Sequence, residues 1–316
     1  SGNGDGQPIE LFMPENEAAE ADFIAESILG ISVEEKRMYD DFGVLMRANT
    51  QSRPIEEAFL ENNIPYTMSG GTSFFERKEI KDIISYLRVI ANHDDDINLL
   101  RILNTPRRGL GRATVEKLNA VADTMGYSLW EAAKAVVEAP EKESRLTEAV
   151  LANLEAFIAL IEAGKNMLSG KGLSKKVKAM VEEIGYYDYL ISDNPKSEKA
   201  ARFKYMNIES LVKSMELWEN NPEHEDTSLY AYLNRITLLS RDDLDDGEED
   251  KGKVNLMTVH ASKGLEFPVV FIAGAEEGIM PHARAVEEGG DDAVEEERRL
   301  FYVAVTRARD RLLISS

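Results

Sequence analysis

His260, Lys263 and Glu266 recur every third residue in the stretch MTVHASKGLEFPVVFIAG, residues 257–274, between two apolar runs that both read as buried strands. An imidazole and an ammonium can hold a phosphodiester, and a carboxylate can accept hydrogen bonds from ribose hydroxyls. Gly264 permits a tight backbone turn among them. Ligands of parallel α/β sheets collect beyond the strand ends, which is where this loop is expected. The same residues could instead be polar groups that cap a strand, and the loop alone leaves both readings open.

A second segment, AVEEERRLFYVAVTRARDRLLIS at residues 293–315, reads as a helix followed by a strand. Glu295, Glu296 and Glu297 suit the positive end of that helix, and Leu300, Phe301, Val303 and Ala304 form its buried stripe. Arg307 falls where helix gives way to strand. There a planar, permanent charge can either neutralise a transferring phosphoryl group or merely partner the helix dipole. Arg298 and Arg299 are within reach of helix-surface glutamates, Glu295 to Arg299 being an i,i+4 pair.

The third segment, NTPRRGLGRAT at residues 104–114, is a turn with two glycines, Gly109 and Gly111, that runs into a helix. Amides at a helix start favour phosphate, and Arg107, Arg108 and Arg112 add positive charge. Contact with a nucleic-acid duplex and a plain inter-domain hinge both fit it. His282 sits on a loop after Met280-Pro281, where a lone histidine is usually solvated. Tyr186, Tyr187 and Tyr189 suggest packing before base stacking, and Lys175, Lys176 and Lys178 a solvated helix face.

Some chemistry is missing. The phosphate-cradling pattern G-x-x-x-x-G-K-[ST] does not occur, and SGKGLSKK from Ser169 has the wrong spacing and no strand before it. No acidic pair after an apolar strand offers a magnesium site. With no cysteine in 316 residues there is neither a disulfide framework nor a thiolate metal site, as a reducing compartment permits. No metal ligand set is expected in this chain.

The elements that must position these residues alternate at the two ends of the chain and are purely helical between. Residues 42–47 read as a strand, Pro54–Leu60 as a helix ending near Asn62-Asn63, and Ile64–Met68 as a second strand. Ser73 with Glu76 reads as a capping box opening a helix whose face is Ile80, Ile83, Ile84, Leu87 and Ile90. A further helix over 95–103 stops at Asn104-Thr105-Pro106. Helical patterns then fill 113–125, 129–137, 145–168, 174–184, 199–218 and 229–239, before strands return at 254–259, 268–273 and 311–315, with a helix over 293–307. This is the pattern of an α/β domain interrupted by an all-helical insertion.

The net charge of −21 opposes nucleic-acid binding if taken globally. Much of it, however, lies in the acidic run 242–250, read as the return linker, and in VEEGGDDAVEEE ending at Glu297, and such runs are usually solvated. No apolar run is long enough to span a membrane, the start SGNGDGQPIE has no signal-peptide character, and a cytoplasmic location is expected.

Together, VNLMTVHASKGLEFPVVFIAGAEEGIMPH, EEERRLFYVAVTRARDRL, FGVLMRANTQSRPIEEAFLENNIPYTMSGGTSFFERKEIKDIISYLRVIANHDDD and NTPRRGLGRAT closely resemble the C-terminal half of the superfamily-one Rep/UvrD/PcrA DNA helicases, the Rep branch in particular. The resemblance runs in order through nearly the whole chain and is loosest over 127–250.

It implies a RecA-like parallel sheet domain of the P-loop NTPase kind that lacks its own P-loop. This second motor domain, 2A, would cover 1–104 and 253–316, with a helical 2B insertion at 105–252. It implies that Glu266, beside Gly264, contacts the ribose of ATP and that Arg307 reaches the γ-phosphate. Thr258, His260, Lys263 and His282 are implied to touch single-stranded DNA, and Arg107, Arg108, Gly109 and Gly111 to grip duplex at the single-strand junction. ATP and Mg2+ would be held mainly by the first motor domain. That domain, with its phosphate loop, acidic residues and another γ-phosphate arginine, precedes Ser1 in the family, so the chain alone is expected to be inactive. The implied function is 3′-to-5′ unwinding in replication or repair. The alternatives are a stand-alone DNA-binding or protein-docking module and the helicase subunit of a recombination helicase-nuclease.

Overall fold

The computed structural model of the chain describes residues 7–139, 146–222, 224–287 and 289–316 except 241–251. The acidic run expected as the return linker lies outside the described residues. Two compact units form, residues 1–74 with 239–316, and residues 75–238.

The first unit is built on six parallel strands: β1 Glu10–Phe12, β2 Phe42–Met46, β3 Tyr66–Ser69, β4 Val254–Thr258, β5 Phe267–Ile272 and β6 Ala308–Ser315. Their order is β1-β6-β5-β2-β4-β3, every neighbouring pair running parallel. All five residues of β2 are buried, as a central parallel strand covered on both faces requires. Gly43 is obligatory there because a Cβ would lie 2.5 Å from the ring of Phe267 on the adjacent strand.

Helix α1, Glu17–Glu34, is capped by Asn16, whose side chain accepts from the amides of Ala18 and Ala19 at 3.0 Å. It buries Ala21, Ile24, Ala25, Ile28 and Ile31. Helix α2, Ser52–Glu61, buries Ile55, Ala58, Phe59 and Leu60 and ends at Asn62, as the pattern predicts.

The other unit is helical throughout its described residues: α3 Lys78–Ala91, α4 Asp96–Ile102, α5 Arg112–Met125, α6 Leu129–Glu138, α7 Glu148–Met167, α8 Leu173–Glu183, α9 Tyr186–Asp193, α10 Glu198–Asn220 and the start of α11 Leu229–Ser240. Residues 75–102 pack in this unit. The expected face of α3 is buried, but its start differs from the capping-box reading. Phe74–Glu76 form a 3-10 turn and Arg77 is the N-cap, and the Glu76 carboxylate that would complete the box pairs with Lys81. The unit is tied internally by Asp82, which accepts from Arg101 Nε at 2.7 Å and the Tyr186 hydroxyl at 2.6 Å, joining α3, α4 and α9. Burial and the neighbouring Asp82 carboxylate push the Tyr186 hydroxyl's pKa well up. Tyr186 and Tyr189 are thus core residues, edge to face at 5.3 Å.

A short helix, α12 Ala283–Glu287, and the 16-residue α13 Gly290–Val305 complete the sheet unit. Leu300, Phe301, Val303 and Ala304 of α13 pack on the core formed by Leu45, Met257, Val259, Phe267, Val270, Ile272, Leu312 and Ile314.

Candidate nucleotide and nucleic-acid site

Parallel strands fix where the sequence-marked residues go. β4 ends at Thr258 and β5 begins at Phe267, so the eight residues between them start at the C-terminal edge of the sheet and finish at the N-terminal edge. The loop does not lie at one strand end, as the sequence suggested, but crosses from one edge to the other. Strand β2 lies between the two strands it joins.

At the C-terminal edge, the Thr258 hydroxyl accepts from the Ala261 amide at 3.3 Å, and His260 is exposed. Ser262 is fully buried and donates to the Val259 carbonyl at 2.7 Å, which pins the first turn of the crossover. Lys263 and Gly264 are exposed, and Gly264 has φ +88°, a conformation that glycine takes without strain. His282 reaches the same edge on the loop after β5. Its amide donates to Glu297 Oε2 at 3.1 Å.

Glu297 is the residue the sequence misplaced. Read as part of an acidic helix start, it lies about two turns into α13, because the helix begins at Gly290 with Asp291 and Asp292 in its first turn. It is 7% exposed and clamps Arg47, the residue after β2, through Nη2 at 2.6 Å and Nε at 2.9 Å. The Arg47 hydrogen bond holds the Glu297 carboxyl below its usual range, and Glu297 in turn raises Arg47. This forked pair fastens α13 and the His282 loop to the end of a central strand. Glu295 does pair with Arg298 at 2.8 Å and Arg299 at 3.8 Å, as its spacing predicts.

At the N-terminal edge, Arg307 follows the end of α13. Its Nε donates to the Val303 carbonyl at 3.0 Å, Nη1 to the Leu265 carbonyl at 2.9 Å and Nη2 to the Thr306 hydroxyl at 3.0 Å. A guanidinium has about five N–H donors, so these bonds leave one hydrogen on each terminal nitrogen for a ligand. Its backbone carbonyl accepts from the Phe267 amide at 2.9 Å. Glu266 is exposed beside it and paired with Arg309 at 3.2 Å. The ribose-contact candidate and the phosphoryl-contact candidate therefore share an edge, and Arg307 grips the last turn of the crossover that His260 begins.

Among the described residues, no three His, Cys, Asp or Glu side chains gather into a group that could hold a metal ion.

In the helical unit the NTPRRGLGRAT turn divides its arginines. Arg107 is exposed, with one 3.6 Å pair to Asp193. Arg108 turns inward. It donates to the Ile102 and Pro106 carbonyls at 3.1 Å and to the Tyr86 hydroxyl, and its charge lies over the Tyr86 and Phe157 rings at 5.7 and 5.4 Å. Burial pushes the Tyr86 hydroxyl up to about 12 despite that neighbour. Gly109 has φ +72° and Gly111 is the N-cap of α5, leaving the first amides of that helix exposed.

The two arginines should separate in experiment. Arg108→Ala destabilises the helical unit by about 1–3 kcal/mol, because three acceptors lose their donor. Arg107→Ala leaves stability within about 0.5 kcal/mol. Both tryptophans, Trp130 and Trp218, lie in that unit, so denaturant titration followed by tryptophan fluorescence reads the difference directly.

The sequence model described as UvrD-like helicase C-terminal domain matches residues 1–316. The ATP-dependent DNA helicase PcrA of Staphylococcus epidermidis is 38% identical over 314 residues, covering 99% of this chain and 41% of that protein. The PcrA of Staphylococcus aureus is 37% identical over 313 residues, with the same coverage. The chain thus spans about two-fifths of the length of these relatives. With the parallel sheet, the crossover and the Arg307 corner in place, the chain belongs to the family of UvrD-like helicase C-terminal domains.

Proposed function

We propose that this chain is the second motor domain, with its helical insertion at 105–252, of an ATP-dependent 3′-to-5′ DNA helicase that serves replication or repair in the cytoplasm. The observation that carries the reading is the bond from Arg307 to the Leu265 carbonyl, at the far end of the crossover that starts with His260. A phosphoryl group drawing on Arg307 pulls on this crossover, and the crossover ends at the residues suited to a single strand. In this account Thr258, His260, Lys263 and His282 hold the strand at one edge. Glu266, with Gly264 before it, meets the ribose at the other, and Arg307 turns its two remaining donors to the γ-phosphate. The first motor domain of the same polypeptide supplies the phosphate loop and Mg2+ ligands. Arg107 and the Gly109–Gly111 turn with its helix start meet duplex at the junction, and Arg108 shapes that turn from inside.

ATP moves this machine only through tighter binding to one arrangement than to another. No helix among the described residues is long and apolar enough to cross a membrane.

The strand contacts are open to test through salt. Lys263→Ala weakens oligothymidylate binding and lowers the slope of log affinity against log salt by about 0.7, the value for one ion released from a single strand. An unchanged slope in anisotropy titrations removes Lys263 from the strand.

A further inference from the structure

We propose that the groove between α8 and α10 of the helical unit is a docking site for an amphipathic segment of a protein partner, one whose apolar side chains are flanked by carboxylates. None of the residues lining this groove belongs to the NTPRRGLGRAT turn.

The walls of the groove are fixed within the unit. Buried Ser174, near the start of α8, donates its hydroxyl to Glu219 near the end of α10, and its amide donates to the same carboxylate at 3.4 Å. Towards the other end of α10, Tyr205 meets Tyr187 edge to face at 4.9 Å. Between these ties lies a cleft of about 320 Å³, large enough to take a ligand-sized group. Its floor is apolar. Val181 and Ile208 are each 2% exposed, and Val212 and Tyr205 are half-buried beside them.

The lip carries positive charge. Lys175 and Lys178 of α8 and Lys213 of α10 line the cleft and are exposed, and none of the three has an ion pair among the described residues. Lys176 differs, since it donates to the Ser169 carbonyl. In a chain of net charge −21, three unpaired cations around one apolar cleft favour an acidic ligand there. Met206 and Leu217, both 44% exposed, stand seven residues before Lys213 and four after it, so they extend the apolar surface along the same stripe of α10. A nucleic-acid backbone fits poorly. The floor offers nothing to a phosphodiester, and Glu209 and Glu216 on the same lip repel a continuous row of phosphates. A peptide satisfies both surfaces, with apolar side chains to the floor and carboxylates placed to meet the lysines and miss the glutamates.

The test is a methyl-resolved NMR titration of the chain with a synthetic helical peptide that carries leucine at every third or fourth position and glutamate between, against the same peptide with lysine for glutamate. The expected result is saturable shifts of the Val181, Ile208 and Val212 methyls with the glutamate peptide alone. Lys178→Glu combined with Lys213→Glu, both at exposed positions, should weaken that peptide about tenfold and admit the lysine peptide instead. No shift with either peptide, or equal shifts with both, overturns the proposal, as does a double variant that binds the glutamate peptide as tightly as the parent. Shifts of the same methyls with oligothymidylate or a DNA duplex would assign the groove to nucleic acid, and shifts that grow with the chain's own concentration would assign it to a second copy. Either result overturns the partner-segment reading.

Discussion

Replacing Arg307 with Ala in a polypeptide that also carries the first motor domain lowers ATP turnover by about a thousandfold, the lower end of what a phosphoryl-transfer arginine supplies. Single-strand affinity without nucleotide stays within about threefold. The asymmetry follows from position: Arg307 is at the N-terminal edge of the sheet, and Thr258 and His260, proposed to hold the strand, are at the other. Arg307→Lys does not rescue turnover, because an ammonium cannot hold the Leu265 and Val303 carbonyls and still present a forked pair of donors. Single-turnover hydrolysis together with oligonucleotide anisotropy measures both effects. Turnover within about threefold of the parent removes Arg307 from the reaction.

The second large effect is structural. Glu297→Gln destabilises the sheet unit by about 3 kcal/mol, because it leaves the Arg47 guanidinium with no counter-charge in a mostly buried site. The pH dependence has a definite sign. The Glu297 pKa is lowered in the folded chain from a reference of 4.5, so its contribution is complete above that reference and is lost as pH falls through the folded value. The gap between parent and variant is therefore constant near neutrality and closes in acid. Hydrogen exchange of the β2 and α13 amides is the suitable probe, since both tryptophans report on the helical unit. A variant that also loosens the 280–282 loop would show that the clamp serves the strand edge as well as stability.

The fold's legibility varied with how each element is buried. Strands β2 and β5 were readable because a parallel strand covered on both faces becomes an unbroken apolar run, and β4 because only Asn255 interrupts its apolar residues 254–257. Strand β1 and helix α1 gave no comparable signal. β1 is three residues long with Leu11 76% exposed, and α1 buries alanine at two of its five core positions, which blurs the contrast between its faces. Helix α9 was hidden in the same way, as three tyrosines that read as packing without an element of their own.

For the site, residue types were visible and geometry was not. His260, Lys263 and Glu266 stand out in sequence, but that the loop runs from edge to edge follows only from knowing that β2 separates β4 from β5. Glu297 was masked by Glu295 and Glu296, and only its burial against Arg47 tells the three apart. Arg107 and Arg108 are adjacent and chemically identical, and the ring of Tyr86 decides which one faces water.

In the proposed function this chain completes a motor site whose other half lies on a different domain. The most direct measurement mixes the chain with a separately produced first motor domain and follows ATP hydrolysis with and without single-stranded DNA, against each half alone. Strand-stimulated hydrolysis only in the mixture, lost on Arg307→Ala, is the predicted result. Two halves that associate yet hydrolyse no more ATP than the first motor domain alone would contradict it, and would make the chain a binding module that keeps the motor fold.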